Sequence, residues 1–305
     1  MRVYGADETR SMLPFAELAE AIAQVLAARK AGRVAAPQRL VLSSGPGQLL
    51  VMPAVDDRLA ITKLVTVHPG NPSGGLPSIQ GEVLVMDAAT GHRYGILDGQ
   101  ILTSRRTAAL SLLAARNLAP RRDGPLLVIG AGVQGRSHME AFVEGLGVRK
   151  VFIASRDINH AELLADFGRS LGIEAEGVRQ PEDVLSDVGL VVTATTSSDP
   201  VFRDRLPDDA FVSAVGSHMP NMAELPPKLV RRARLYADTV EGVAAECGCL
   251  TRAGVDTAKV TALEDALDGT APAPDSGPVV FKSVGHAMFD LAAARVAMLG
   301  REDVR

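Results

Sequence analysis

No tryptophan occurs in the chain, aromatic residues make up only 4%, and just two cysteines are found in 305 residues. So sparse an aromatic set offers no platform on which bases could stack. A net charge of −4 gives nothing for a phosphate backbone or an anionic membrane to hold. Cys247 and Cys249 stand at C-x-C spacing, too few for a disulfide framework or a zinc site, and read as plain reduced thiols. No apolar run reaches the length of about 18 residues that a membrane span needs. The first residues, MRVYGADETR, lack the apolar stretch of a signal peptide. These absences predict a cytoplasmic protein with no nucleic-acid or membrane partner and no metal.

What is present is an ordinary globular composition, with 47% hydrophobic and 22% charged residues, long enough for two domains. FAELAEAIAQVLAAR (15–29) places Leu18, Ile22, Val25 and Leu26 on one face of an amphipathic helix. From 38 to 98, short apolar runs alternate with turn residues such as GPG (45–47) and PGNPSGG (69–75), which predicts antiparallel strands. A long helix over 101–118 follows, and ARNLAPRRDGP (115–125) reads as the connection into a second domain.

Beyond Pro125, strands and helices alternate: LLVIG, a helix over 133–145, KVFIAS, a helix over 158–171, GLVVTATT, FVSAVG and ARLYAD. Strands apolar at nearly every position belong to a parallel sheet covered on both faces, so the class is α/β with a doubly wound arrangement. GTAPAPDSGP (269–278) is a loop, and FKSVGHAMFDLAAARVAML is a strand end followed by a helix.

Gly130-Ala131-Gly132-Val133-Gln134-Gly135 matches G-x-G-x-x-G between a strand and a helix, the setting in which that pattern binds a dinucleotide. Gly130 makes the turn, Gly132 lets the backbone approach a pyrophosphate, and Gly135 lets helix and strand pack closely. Val133 and Gln134 open the helix whose N–H groups meet the diphosphate. The next strand ends in Ala154-Ser155-Arg156, without the carboxylate that binds a ribose 2′-hydroxyl. Ser155 and Arg156 suit a 2′-phosphate, which favours NADPH and leaves NADH open. The alternative makes Asp157 the ribose ligand and Arg156 a solvated loop residue.

Three cations stand out before residue 110: Arg39 in PQRLVL, Lys63 in ITKLVTV and Arg106 in LTSRRTAA. Lys63 interrupts a run whose neighbours are all expected to be buried. A buried ammonium needs an anion, and a substrate carboxylate is a natural one.

Four segments in order, ITKLVTVHPGNPSGGLPSIQG, LTSRRTAALSLLAARNLA, VIGAGVQGRSHMEAF and FVSAVGSHMPNMAEL, resemble the ornithine cyclodeaminase/mu-crystallin family. The resemblance runs from about residue 35 to the final FKSVG helix. It implies a homodimer in which a Rossmann domain (119–277) is inserted into a smaller α+β substrate-binding and dimerisation domain (1–118). The last segment (278–305) is then a helix returning to the first domain. By motif position Lys63 and Arg106 match the residues that hold a substrate carboxylate, and Arg39 a further substrate-side arginine. Thr195 and Thr196 match the stretch beneath the nicotinamide.

Where the cyclodeaminases of this family carry an Asp that handles the substrate amine, VGSHMP has His218. A second cyclodeaminase acid is replaced within Leu50-Val51-Met52-Pro53. The carboxylates suited to a cationic diamine are missing. The resemblance therefore implies an NADPH-dependent ketimine reductase acting on Δ1-pyrroline-2-carboxylate and Δ1-piperideine-2-carboxylate. An ornithine cyclodeaminase and a mu-crystallin-like NADPH-dependent binding protein are the alternatives. His218 reads either as a proton donor to the imine or, preferred, as a loop histidine filling the former Asp position.

Overall fold

A computed structural model describes residues 1–271 and 277–299, without the side chains of Ser44 and Pro72. In chain order the elements begin with β1 (Arg2–Tyr4), α1 (Ala6–Ser11), α2 (Phe15–Lys30), β2 (Leu40–Ser44) and β3 (Gly47–Val55). Next come β4 (Leu59–Val67), β5 (Ile79–Asp87), β6 (Arg93–Asp98) and α3 (Gly99–Leu118). Then follow β7 (Leu126–Ile129), α4 (Val133–Leu146), β8 (Lys150–Ala154), α5 (Ile158–Ser170), β9 (Glu174–Val178), β10 (Leu190–Thr193) and β11 (Phe211–Ala214). The remainder is α6 (Pro227–Arg232), β12 (Arg234–Ala237), α7 (Val240–Glu246), α8 (Gly248–Ala253), β13 (Val260–Ala262), α9 (Leu263–Leu267), β14 (Val279–Lys282) and α10 (Ala287–Leu299). Part of the expected loop over 269–278, residues 272–276, lies outside the described residues, as do 300–305 of the expected C-terminal segment.

The chain divides into two compact units, Met1–Leu110 with the segment from His286 onward, and Ser111–Gly285. The change of unit falls inside α3, whereas the sequence texture changes only after residue 118. Unit 1 holds a six-stranded sheet in the order β1-β6-β5-β4-β3-β2, antiparallel except for β1 against β6. Its strands alternate. Leu59, Ile61 and Lys63 of β4 are buried, as are Met52 and Ala54 of β3 and Val83 and Val85 of β5. That face carries α10, which in turn packs on α2. Leu18, Ile22, Val25 and Leu26 of α2 are at most 1% exposed. Each such side chain is worth roughly 1.5–3 kcal/mol of hydrophobic stabilisation. Lying between helix and sheet, α10 is buried on nearly every side, which explains why AMFDLAAARVAML is apolar all round.

Unit 2 is an eight-stranded parallel sheet in the order β13-β12-β14-β11-β10-β7-β8-β9. β7, β10, β11 and β14 are buried at every position, as a sheet covered on both faces requires. Strand order reverses between β7 and β10, and the carboxyl edge at such a reversal is where open α/β sheets bind ligands. Cys247 and Cys249 are buried and unbridged.

Candidate functional site

In unit 1, Lys63 is only 2% exposed because its strand position points to the face covered by α10. It lies across from Met52 on one side and Val83 on the other. Its Nζ sits 2.8 Å from Oδ2 of Asp290, a fully buried carboxylate on α10, and donates to Thr103 Oγ1 at 3.3 Å. Arg106, on α3, donates from Nε to Asp290 Oδ1 at 2.9 Å. Its neighbour Arg105 does other work, donating to the Leu13 carbonyl at 2.6 Å and stacking 3.8 Å over the Phe15 ring.

The internal carboxylate revises one expectation. From the sequence, the anion beside Lys63 is expected to be a substrate carboxylate; the fold supplies Asp290 first. The sequence reading passes over Asp290, although its signal was there: the one acid in a helix otherwise wholly apolar but for Arg295. Arg295 is likewise paired, donating to Asp56 at 2.6 Å. A further correction concerns Arg39, which stands one residue before β2 rather than within it.

One carboxylate does not balance this cluster. Burial lowers the Lys63 ammonium, Asp290 opposes that, and the charges of Arg106 and Arg39 push it down again, to about 8. Burial alone would raise the Asp290 carboxyl, but Lys63 and Arg106 hold it below the usual carboxylate range. Lys63 and Arg106 thus share one anion, and the charge of Arg39 is felt at Lys63. Arg106 Nη1 is buried and has no hydrogen-bond partner among the described residues. A buried guanidinium N–H left unbonded costs about 1–3 kcal/mol or more, and a bound carboxylate relieves that cost.

In unit 2 the glycine motif behaves as its spacing demands. Gly130 has φ 114°, which side-chain-bearing residues rarely adopt, and a Cβ there would collide with the Ala194 carbonyl. A Cβ on Gly135 would strike the Gly130 carbonyl, whereas at Gly132, the N-cap of α4, it would meet nothing within 4 Å. The second glycine therefore opens a clear approach to the first turn of α4, where backbone N–H groups can receive a diphosphate. Val133 is exposed and Gln134 half-buried at that turn. His138 braces it: its Nδ1 bonds the Gln134 carbonyl at 2.7 Å and its Nε2 meets Ser111 Oγ at 2.9 Å. Burial lowers His138 to about 4, against the carbonyl contact that raises it, so the ring is neutral at physiological pH.

At the end of β8, Ser155 is half-buried and Arg156 exposed. Asp157 caps α5, accepting from the Asn159 N–H at 2.9 Å. That cap occupies one oxygen of the carboxylate in the alternative ribose reading. Thr195 is half-buried and Thr196 exposed, following β10. His218 is exposed, in the loop after β11, with Nδ1 3.0 Å from the Gly216 carbonyl. The structure thus gathers Lys63, Arg106 and the field of Arg39 in unit 1, and the glycine motif, Ser155, Arg156, Thr195, Thr196 and His218 along the carboxyl edge of the unit 2 sheet.

The sequence profile of the ornithine cyclodeaminase/mu-crystallin family matches residues 3–299. Δ1-Pyrroline-2-carboxylate reductase 1 of Burkholderia multivorans is 38% identical, over 97% of this chain and 94% of the relative. The Δ1-pyrroline-2-carboxylate/Δ1-piperideine-2-carboxylate reductase of Azospirillum brasilense is 37% identical, over 97% and 94%. Among solved structures, Thermococcus litoralis Δ1-pyrroline-2-carboxylate reductase in complex with NADH and L-proline superposes with a TM-score of 0.91. It is 26% identical, covering 97% of this chain and 96% of that one.

Proposed function

We propose that this chain, which belongs to the ornithine cyclodeaminase/mu-crystallin family, is an NAD(P)H-dependent reductase of cyclic ketimines. Its substrates are Δ1-pyrroline-2-carboxylate, reduced to L-proline, and Δ1-piperideine-2-carboxylate, reduced to L-pipecolate. The observation that carries this reading is the buried, unbonded Nη1 of Arg106 beside Lys63, where two buried cations meet one carboxylate. Such a cluster takes a small anion and rejects a second positive charge. A cyclic imine with one carboxylate fits it better than a cationic diamine.

Gly130, Gly132, Val133, Gln134 and Gly135 are the residues to hold the dinucleotide diphosphate, with Thr195 and Thr196 on the nicotinamide side. A bound reduced nicotinamide supplies the hydride that adds to the C=N carbon. Lys63 and Arg106 fix the carboxylate, so that orientation rather than strong acid catalysis provides most of the rate. His218 is exposed and bonded to its own loop, and assists protonation of the imine nitrogen only modestly. Arg156, with Asp157 engaged as a helix cap, favours NADPH over NADH.

We further assign a homodimer. The sheet face of unit 1 turned away from Lys63 exposes Leu40 and Leu42 of β2 and Leu64 of β4, each 47–54% accessible, too much apolar surface to leave wet. The two unbridged thiols suit a reducing cytoplasm.

Oxidation of NADPH, followed by absorbance with each cyclic imine in turn, tests the activity. Ammonia release from L-ornithine without imine reduction would replace this reading with a cyclodeaminase. Binding of NADPH with neither activity would favour a binding protein.

A further inference from the structure

Glu224 is fully buried in unit 2, yet all four groups bonded to its carboxylate are neutral. Oε1 accepts from the Thr195 N–H at 2.7 Å and the Thr195 hydroxyl at 2.9 Å. Oε2 accepts from the Gly216 and Ser217 N–H groups, both at 2.9 Å. One carboxylate therefore joins the segment after β10 to the segment after β11, across the carboxyl edge of the sheet. A buried ion costs several kcal/mol unless its lone pairs are well satisfied, so this geometry is specified by the fold and not incidental.

The same segments are held from other directions. Lys282, at the end of β14 and 4% exposed, donates to the carbonyls of Ser217 at 2.5 Å, Ala214 at 3.0 Å and Ser283 at 3.1 Å. The Ser217 peptide unit thus gives its N–H to a buried anion while the residue's carbonyl receives a buried cation. At Gly216 a Cβ would collide with the backbone of Thr195 and with Glu224 Oε1, so only glycine allows the two segments to close on the carboxylate. On its other side, the Ala194 carbonyl fills the space beside Gly130. The diphosphate turn, the Thr195 segment and the Gly216–Ser217 segment form one connected rim.

We propose that Glu224 is a positioning residue that sets the surface on which the nicotinamide half of the cofactor rests. The proposal rests on unit 2 binding a dinucleotide. In an open α/β sheet the diphosphate lies at the glycine turn, and the two halves of the cofactor spread over strands to either side of the strand reversal. With Ser155 and Arg156 at the end of β8 on the adenosine side, the segments after β10 and β11 lie on the nicotinamide side. Among the described residues, the Glu224 carboxylate bonds only those segments. Its effect must therefore fall on the nicotinamide half and on the hydride-transfer geometry, not on the adenosine half.

The experiment uses Glu224→Gln, which keeps the size but turns an NH₂ toward at least one of the three N–H donors. NADPH, NADH and the matching ADP-ribose fragments that lack nicotinamide are titrated, and amide hydrogen exchange of the cofactor-free protein is measured. Turnover of the imine is then compared for cofactor carrying hydrogen or deuterium at the transferred position. The expected result is a weakening of whole-cofactor binding by about tenfold, with fragment binding unchanged and faster exchange at Thr195, Gly216 and Ser217. The expected fall in kcat is roughly 10–100-fold, the size of effect that a small misplacement produces, with a larger isotope effect than in the wild type. Equal weakening of cofactor and fragment, or unchanged cofactor binding and kcat, overturns the proposal. Should Glu224→Gln fail to fold, Glu224→Asp keeps the charge, shortens its reach to the two segments and is read by the same criteria. A wild-type protein that binds neither cofactor nor fragment overturns the dinucleotide reading itself, before any variant is made.

Discussion

In unit 1, apart from Arg105 on the Leu13 carbonyl, charges meet charges: Lys63 and Arg106 converge on Asp290, and Arg295 on Asp56. In unit 2, Glu224, Lys282 and Asp238 are buried as deeply, but bond to peptide groups and hydroxyls instead. The physical consequences differ. Opposed charges in a low-dielectric interior set a local field, and two buried cations against one carboxylate leave that field positive. A charge satisfied by peptide dipoles instead fixes backbone: Asp238 Oδ2 takes the Val284 and Gly285 N–H groups at 3.1 and 2.8 Å. Under the proposed function, unit 1 selects by charge and unit 2 holds loop geometry.

The sharpest way to break this contrast is to delete the field. Lys63→Ala and Arg106→Ala are each expected to lower kcat/KM for the cyclic imine by roughly two to three and a half decades. That corresponds to the loss of about 3–5 kcal/mol when one partner of a buried charge pair is removed. A loss below tenfold would show that the carboxylate is held elsewhere. Proline, as a carboxylate competitor, should lose affinity in parallel.

Asp290→Asn probes the same field from the other side. Burial lowers Lys63 and Asp290 is the first influence opposing it, so removing that carboxylate drives the ammonium below its present value of about 8. A pocket that needs charged Lys63 loses kcat/KM as pH rises through that value, and the alkaline limb should move to lower pH in the variant. The two cations left facing each other should also destabilise the fold by about 3–5 kcal/mol, read from denaturant unfolding. An unmoved alkaline limb would separate Lys63 from the pH dependence.

In unit 2 no comparable field is expected, and smaller effects should follow. Arg156→Asp should shift preference from NADPH toward NADH by about tenfold to a hundredfold, the worth of one charge-assisted contact of about 1.5–3 kcal/mol. An unchanged ratio of kcat/KM for the two cofactors would assign the ribose to another residue. His218→Ala should cost about tenfold, below the usual 10²–10⁴ of a general acid. A thousandfold loss with abolition of the pH dependence would make His218 the acid after all.

Much of this was legible in the chain. The period of α2, the strand–glycine–helix order around Gly130 and the uniformly apolar strands of unit 2 are local patterns, and each specified its element because side-chain period and turn sterics act over a few residues. The misses have a common cause. α6 to α9 and the edge strands β9 and β13 are short, and their sequences hold too few periods to stand apart from loops. In α3 the sequence showed a helix through residue 118 but not that the units divide inside it. The reason is that Ser111 and Leu112 belong to unit 2 through distant partners, Ser213 Oγ at 2.8 Å and Gly145.

The sequence by itself pointed to a buried Lys63, though through a run expected to be buried throughout. Leu64 is exposed, and Lys63 is buried because it shares the alternate face with Leu59 and Ile61. The sequence also marked the turn proposed for a diphosphate, because glycine spacing and a helix start are local features. Only the tertiary structure decided what answers the buried charge. Asp290 reaches Lys63 from a helix 227 positions further on, and Glu224 joins segments that lie 29 and 8 residues away. Pairing of that kind depends on which elements stack, and electrostatic energy falls with distance in space, not with separation along the chain.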